Sequence, residues 1–273
     1  MKPYEQLIRI IYPQDGARIA IRTDNDWDTD VNAVGRNACI SEFLIETERP
    51  YFYFKPVLIS DDSVRWSRGE NFLAVTTSNT PLKIHPYFRE DAHCSVCELM
   101  PPLASPTGVA HRFRVFLPPG YHENTLNRNP VLYMHDGHNL FLKEEAFVGN
   151  TWRTDEVLNM LDKMNAIEET IVVGVFPHDR MNEYTKPGYE DYGRFLVEVL
   201  KPLVDKKISH ARGPSEYRGH GFIARRGRFI LSGMAMAEGV RQYCLPFQYF
   251  YLPGQSVGTR FHRAKAKNPD LSG

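Results

Sequence analysis

Four cysteines in 273 residues are too few for a disulfide scaffold, and a reducing compartment is the plain expectation. Charge of one sign is also missing, since 33 Lys and Arg meet 33 Asp and Glu. A nucleic-acid protein should carry a broad basic face, so that class is set aside. No run approaches the roughly 18 apolar residues of a spanning helix, so no membrane span is expected. Residues 1–16 hold no apolar core of about 7–15 residues before a small-residue cleavage site. They read as no signal peptide, and the cytoplasm is the expected location. What is there suits a globular chain: 42% apolar, 24% charged and 12% aromatic residues. At about 100–200 residues per domain, the length predicts one large or two modest domains.

The neutral total conceals two unlike parts. From Ala211 to the end stand ten basic and three acidic side chains, a net +7, which leaves −7 for residues 1–210. Such an asymmetry ordinarily suggests a basic tail for acidic partners.

Residues 1–100 read as all-β. Leu7–Tyr12, Ala17–Arg22, Ala38–Thr47, Tyr51–Leu58 and Asn71–Thr76 alternate with Asp, Asn, Gly and Pro clusters at sandwich-like spacing. Tyr51, Phe52, Tyr53 and Phe54 show no clean alternation and suggest a strand buried on both faces. Residues 101–108, rich in Pro and Ser, read as a linker or an edge connection. Beyond it the pattern changes. His111–Leu117 alternates as a strand, and Pro130–Met134 and Thr170–Phe176 are short apolar runs of the buried parallel kind. Asp155–Met164 and Tyr192–Val204 carry helix spacing, with Pro202 bending the end of the second. Strand, strand, helix, strand, helix predicts an α/β domain with a largely parallel sheet.

Three segments of this second region form a specific combination: His111–Tyr121, Pro130–Phe141 with its His135-Asp136-Gly137-His138-Asn139, and Arg180–Thr185. Together they resemble the putative-esterase family of α/β-hydrolases, the group of enterochelin-esterase-like and feruloyl-esterase-like enzymes. The resemblance runs from about Val109 to Asp205. Residues 1–100 more loosely resemble the β-sandwich modules, some starch-binding-like, that precede such domains; Asp26-Trp27-Asp28, Phe54-Lys55 and Trp66–Asn71 carry it.

The resemblance implies a serine esterase with no metal and no cofactor, acting on a small-molecule ester. It leaves the acid, the alcohol and the oligomeric state open. His135–Asn139 lies just past the carboxyl end of a buried strand, where open α/β sheets bind ligands. Gly137 lets the chain turn sharply there. In α/β-hydrolases a loop at this point supplies an oxyanion-hole N–H, which makes Gly137, His138 and Asn139 the candidate donors. The bland alternative is a plain strand-to-loop turn with surface histidines. His135, Asp136, Arg180, Glu183 and Tyr184 are candidates for the rim of the site, with a structural ion-paired loop the favoured role for the last three. Trp27, Trp66 and Asn71 are possible glycan contacts, against the alternative that the tryptophans are core. Cys94 and Cys97, after His93, could be half of a metal site, but Cys39 and Cys244 offer no second half at suitable spacing. No metal site is expected.

One part of the hydrolase pattern is missing. No G-x-S-x-G occurs, and at its expected place stands Gly219-His-Gly-Phe-Ile-Ala-Arg-Arg-Gly-Arg228. Gly221–Gly227 can be encoded GGG TTC ATC GCT CGG CGG GGT. Read one base later, those bases give Gly-Ser-Ser-Leu-Gly-Gly, an elbow. A frame slip between about His210 and Pro214 accounts both for the missing motif and for the arginines of the tail. The expected organisation is then a β-sandwich over 1–100, a linker over 101–108, the first half of an α/β-hydrolase domain over 109–212, and an out-of-frame tail over 213–273. The nucleophile, acid and catalytic His are not assignable in such a chain, and Ser232 and His262 receive no role. The strand at Val131–Met134 is expected to lack a neighbour on the elbow side. A different class of reading makes the chain a non-catalytic glycan-binding protein with a genuine basic tail.

Overall fold

The computed structural model describes residues 3–14, 16–61, 63–77 and 80–208, with the backbone of 228–231 and 248–249. Nine strands come first: β1 (Tyr4–Ile11), β2 (Arg18–Thr23), β3 (Asp26–Val31), β4 (Gly35–Arg36), β5 (Ile40–Thr47), β6 (Tyr51–Ser60), β7 (Ser63–Trp66), β8 (Phe72–Val75) and β9 (Leu82–Ile84). They form two sheets, ordered β4-β5-β1-β9 and β3-β2-β6-β7, with β8 also paired to β6. One apolar core lies between them. Ile8, Ile10 and Phe43 enter it from the first sheet, and Ile19, Ile21, Phe52 and Phe54 from the second.

The aromatic run corrects the sequence expectation. Along Tyr51–Phe54 exposure alternates with each residue, the two Phe rings buried and the two Tyr rings outside. A strand turns successive side chains to opposite faces, and here the hydroxyl-bearing rings take the wet one. Taken together as four aromatic rings the run looks uniform, and the period-two pattern lies in the Tyr hydroxyls. β3 was not anticipated either. Its Asp-Trp-Asp-Thr-Asp-Val sequence has little apolar content because it is a sheet edge without a buried residue.

The second unit begins earlier than its sequence suggested. β10 (Ser95–Val96) pairs antiparallel with β13 (Phe113–Leu117), so part of the stretch assigned to residues 1–100 belongs to the other sheet. The expected linker holds β11 (Leu103–Ala104), paired with β12 (Ala110–His111). β14 (Val131–Met134), β15 (Ile171–Val175), β16 (Arg228–Leu231) and β17 (Gln248–Tyr249) complete a six-stranded sheet of order β10-β13-β15-β14-β16-β17 among the described residues. It is mixed rather than largely parallel. Only β15-β14-β16 run parallel, while β13 lies antiparallel to β15 and β17 to β16. The β14 edge expected to be empty is therefore paired, with Tyr133 opposite Phe229. The other calls on residues 213–273, including the displaced elbow, Ser232 and His262, lie outside the described residues.

Both faces of this sheet are covered, which is why β15 is buried at all five positions. On one face Phe113, Val115, Ile171 and Val173 meet Tyr192, Phe195, Leu196 and Leu200. Those four helical residues belong to one continuous run: α3 (Tyr189–Arg194 in the chain, after α1, Thr154–Lys163, and α2, Arg180–Tyr184), a π-helical turn over Phe195–Leu200, and α4 (Lys201–Lys207). Pro202 has no N–H to donate, and the widened turn falls directly before it. On the other face Phe116 and Val172 meet Leu140 and Phe141.

The two units are joined by buried and partly buried polar contacts. Asn124 Nδ2 donates to the carbonyls of Ile11 and Pro86, both at 2.9 Å. The Glu123 carboxylate accepts from Tyr12 O–H at 2.9 Å and from Phe88 N–H at 2.7 Å. Tyr87 O–H donates to Asp162 at 2.9 Å, where burial pushes the Asp162 carboxyl above its usual range. Gly120, at φ +76°, leaves room for this ring: a Cβ there would stand 2.8 Å from three Tyr87 atoms.

The face assignment of the aromatic run is directly testable. Phe52→Ala should cost about 3–5 kcal/mol, as a buried ring leaving a cavity does. Tyr51→Ala, at a half-exposed ring, should stay within about 0.5 kcal/mol. Urea denaturation of the two variants measures the contrast, and equal losses would mean that the strand does not alternate.

Candidate active site

β14 and β15 run parallel, so the chain leaves both at the same edge of the sheet. After Met134 come His135 and Asp136, then a tight turn over Gly137–Asn139; after Val175 come Phe176, His178 and α2. Asp136 itself is left-handed, at φ 53° and ψ 44°. Aspartate tolerates that region better than most residues, and its own carboxylate holds it there.

That carboxylate is buried. Its two oxygens accept from Arg180 Nε and a terminal guanidinium nitrogen, both at 2.9 Å. Tyr184 O–H donates to Asp136 Oδ1 at 3.1 Å and accepts from Asp136 N–H at 3.2 Å. A two-pronged guanidinium–carboxylate pair fixes direction as well as distance. Asp136 raises the Arg180 pKa further, and burial raises that of the Tyr184 phenol. Arg180 also lies over the Tyr184 ring, 5.4 Å from its centroid.

α2 delivers Arg180 and Tyr184 because its start is well capped. Asp179 accepts from Asn182 N–H at 3.2 Å, and the Glu183 carboxylate accepts from the N–H groups of His178 and Asp179 at 3.1–3.2 Å. Glu183 thus lies behind the rim rather than on it, and burial pushes its carboxyl up. Its Oε1 is 3.8 Å from His111 Nδ1.

His135 is 4% exposed. Its Nδ1 shares a 2.9 Å hydrogen bond with Tyr192 O–H, and its ring packs against Tyr184 and Tyr192. Its Nε2 has no hydrogen-bond partner among the described residues, nor has His111 Nδ1, whose nearest charged neighbour is Glu183. Burial lowers both rings to about 4, so each is neutral at physiological pH. Tyr192 was read from sequence only as the start of an amphipathic helix. Its hydroxyl serves the site while its ring serves the core, and spacing reports only the ring.

The turn itself is set by contact with β15. A Cβ on Gly137 would lie 2.5 Å from the carbonyl carbon and oxygen of Gly174 and 2.8 Å from Val175 N. A Cβ on Gly174 would in return meet Leu140 at 2.6 Å and the Gly137 Cα at 3.2 Å. Within the turn, Asn139 N–H donates to the Asp136 carbonyl at 2.8 Å and Leu140 N–H to that of Gly137 at 3.4 Å. A turn of this kind leaves its first N–H groups unpaired. Among the described residues Gly137 and His138 N–H make no backbone hydrogen bond, whereas the N–H of Asn139 is already committed.

The remaining candidates lie elsewhere. Trp27 and Trp66 stand together, ring centroids 6.4 Å apart, and Arg22 sits 5.0 Å above Trp66. Neither ring is in the core, and Trp66 is exposed. Asn71 precedes β8, which pairs with Tyr51–Phe54, whereas Trp66 pairs with Val57 farther along β6. Cys94 and Cys97 flank β10 as free thiols, both pushed up by burial and so poor thiolates. Among the described residues no three His, Cys, Asp or Glu converge on a possible metal position, and no helix is long and apolar enough to cross a membrane.

Residues 105–220 match the model of the family described as "Putative esterase". No curated protein matches the chain. Among solved structures it is similar to a ferulic acid esterase, at 23% identity over 44% of this chain and 46% of that one, TM-score 0.34. It is similar also to the BES protein from Bacillus cereus, at 18% identity over 47% and 50%, TM-score 0.30. A thermostable esterase matches at 13% identity over 74% and 67%, TM-score 0.25. The matched part is about half the length of the first two.

Two outcomes check this geometry. Gly137→Ala should lose about 1–3 kcal/mol or more, because the new carbon meets backbone that cannot rotate away. Gly193→Ala, in α3 with nothing within 4 Å of the added carbon, should instead gain up to about 1 kcal/mol. Thermal melts of both variants provide the comparison.

The second outcome concerns pH. An unfolded histidine titrates near 6.5, while folded His111 and His135 titrate at about 4. As pH falls from 6.5 to 4 the unfolded chain binds protons that the folded one does not, so these residues make stability fall across that window. His111→Phe should flatten that fall in a series of melts from pH 7 to pH 4. An unchanged slope would show that His111 is not held neutral.

Proposed function

We infer that this chain carries the oxyanion half of a carboxylic ester hydrolase of the α/β-hydrolase type, preceded by a β-sandwich module. The family match over residues 105–220 carries the reading, because it spans β14, the turn after it, β15 and the Arg180 segment. In this chemistry a serine attacks the ester carbonyl, a histidine moves the proton to the leaving alcohol, and backbone N–H groups hold the oxyanion. Gly137 and His138 are the N–H donors we assign to that oxyanion, and a donor so placed is worth about 2.7–4 kcal/mol in the transition state. Asp136, Arg180 and Tyr184 are positioning residues for the turn. The substrate is a small-molecule ester met in the cytoplasm, and the reaction calls for no metal or cofactor.

The serine, acid and histidine of that reaction are not identifiable in this chain, which on this reading is inactive as written. Read one base later, the bases of Gly221–Gly227 give Gly-Ser-Ser-Leu-Gly-Gly, and on that ground we place a one-base slip between about His210 and Pro214, although the family match itself extends to residue 220. The outward-facing Trp27–Trp66 pair favours a second reading, a non-catalytic glycan-binding protein. That reading requires the basic tail to be genuine.

Sequencing the bases that encode His210–Pro214, and expressing both reading frames, separates the two. The 273-residue chain should not hydrolyse p-nitrophenyl acetate. The frame-restored chain should, and its elbow Ser→Ala variant should lose at least about a thousandfold in kcat, as removal of a triad nucleophile does. Serine-dependent turnover by the chain as written would sink the frame-slip argument. An inactive frame-restored chain would sink the esterase assignment.

A further inference from the structure

The seam between the two units gathers acidic side chains that neither apolar core explains. Tyr87, just past β9, is held from both sides. Its carbonyl accepts from Arg68 N–H of the sandwich at 2.8 Å, and its hydroxyl donates to Asp162 of α1. Two more carboxylates stand near that ring. Glu123 binds Tyr12 O–H and Phe88 N–H, and its second oxygen accepts from Arg89 N–H at 3.1 Å. Glu169, directly before β15, is near enough to Asp162, Glu123 and Tyr87 for their charges to act on one another.

Glu169 has the surroundings of a carboxyl that keeps its proton. Asn127 Nδ2 donates to its Oε2, while Asn129 Nδ2 donates to its backbone carbonyl at 3.0 Å and lies 3.5 Å from the same Oε2. Asn129 Oδ1 is buried and has no hydrogen-bond partner among the described residues. A buried acceptor without a donor is costly, and a carboxyl proton on the neighbouring Glu169 supplies one. Burial raises the Glu169 carboxyl to about 8, the charges of Asp162 and Glu123 add to the rise, and the two asparagine amides oppose it. Cations also face the seam. Arg68 acts on Tyr87, Lys163 on Asp162, and Arg128, between the two asparagines, on His85.

We propose that Glu169 is a proton-operated latch on the seam between the sandwich and the α/β unit, closed while its carboxyl is protonated and loosened when it ionises beside Asp162 and Glu123. The closed seam keeps Tyr87 on Asp162 and the Phe88 and Arg89 N–H groups on Glu123. A further negative charge there repels both carboxylates in a partly dry medium, where charges act more strongly than in water. An unfolded glutamate loses its proton near 4.3, and folded Glu169 near 8. Its contribution to stability is therefore full at pH values below the first and is lost as pH rises through the second. None of these residues lies on the oxyanion turn, so the latch stands apart from the ester-hydrolase reading.

Hydrogen exchange of the full 273-residue chain tests the latch, read by mass spectrometry on peptides covering residues 86–90 and corrected for intrinsic rates. Protection of the Phe88 and Arg89 N–H groups should fall at least about tenfold between pH 6 and pH 9. The midpoint of that fall should lie near 8. In Glu169→Gln, which keeps the shape and cannot ionise, protection should stay level over the same range, and Tm at pH 9 should rise. Asp162→Asn removes one repelling charge, so its midpoint should move to lower pH. Level protection in the parent chain, or an equal fall in Glu169→Gln, would overturn the proposal. Should Glu169→Gln fail to fold, the parent chain and Asp162→Asn decide, and an unmoved midpoint removes the latch.

Discussion

Two glycines in contact set the rest of the site. Gly137 lies against the backbone of Gly174 so closely that a side-chain carbon on either would collide with its neighbours. β15 is thereby also the floor of the turn, and the turn can sit flat on the sheet's edge. Leu140 and Phe141 then fall directly onto the far face against Phe116 and Val172. The same few residues thus close a hydrophobic layer and form the turn at the end of β14. A larger residue would push the turn off the strand and open both.

Polar chemistry then fixes what sterics only permit. The left-handed backbone at Asp136 is kept by its carboxylate, which Arg180 and Tyr184 grip from α2. Tyr192 adds a second tier by holding His135 from the core helix. Asp136 is buried while Arg180 is partly exposed, and a buried carboxylate deprived of its cation is destabilising. The capped start of α2 and the left-handed Asp136 are two ends of one device, and neither has a purpose without the other.

Much of this was legible in the residues. β13, β14, β15, α1 and the long helical run fall close to where apolar period placed them, and the His135–Asn139 segment stands at a strand's carboxyl end as expected. The Arg180 segment grips Asp136 across the sheet's edge. What stayed hidden has physical reasons. Edge strands such as β3 have no dry face and so no apolar signature. β10 is two residues long and is defined by its partner Phe116–Leu117 alone. The Tyr-Phe alternation is carried by the Tyr hydroxyls, which a reading of the run as four aromatic rings passes over. The link between Tyr192 and His135 joins residues 57 apart and leaves no periodic trace. β16 draws its place from the open edge of β14 rather than from a strand pattern of its own.

The bond between Asp136 and Arg180 also bears on the order in which the chain folds. Its ends are 44 residues apart, with α1 and β15 between them. A contact of that separation forms only after the loop-closure entropy has been met by elements packing in between. The bond therefore ties the turn's geometry to the packing of α1 and β15, and a change that loosens either element reaches Asp136 through it.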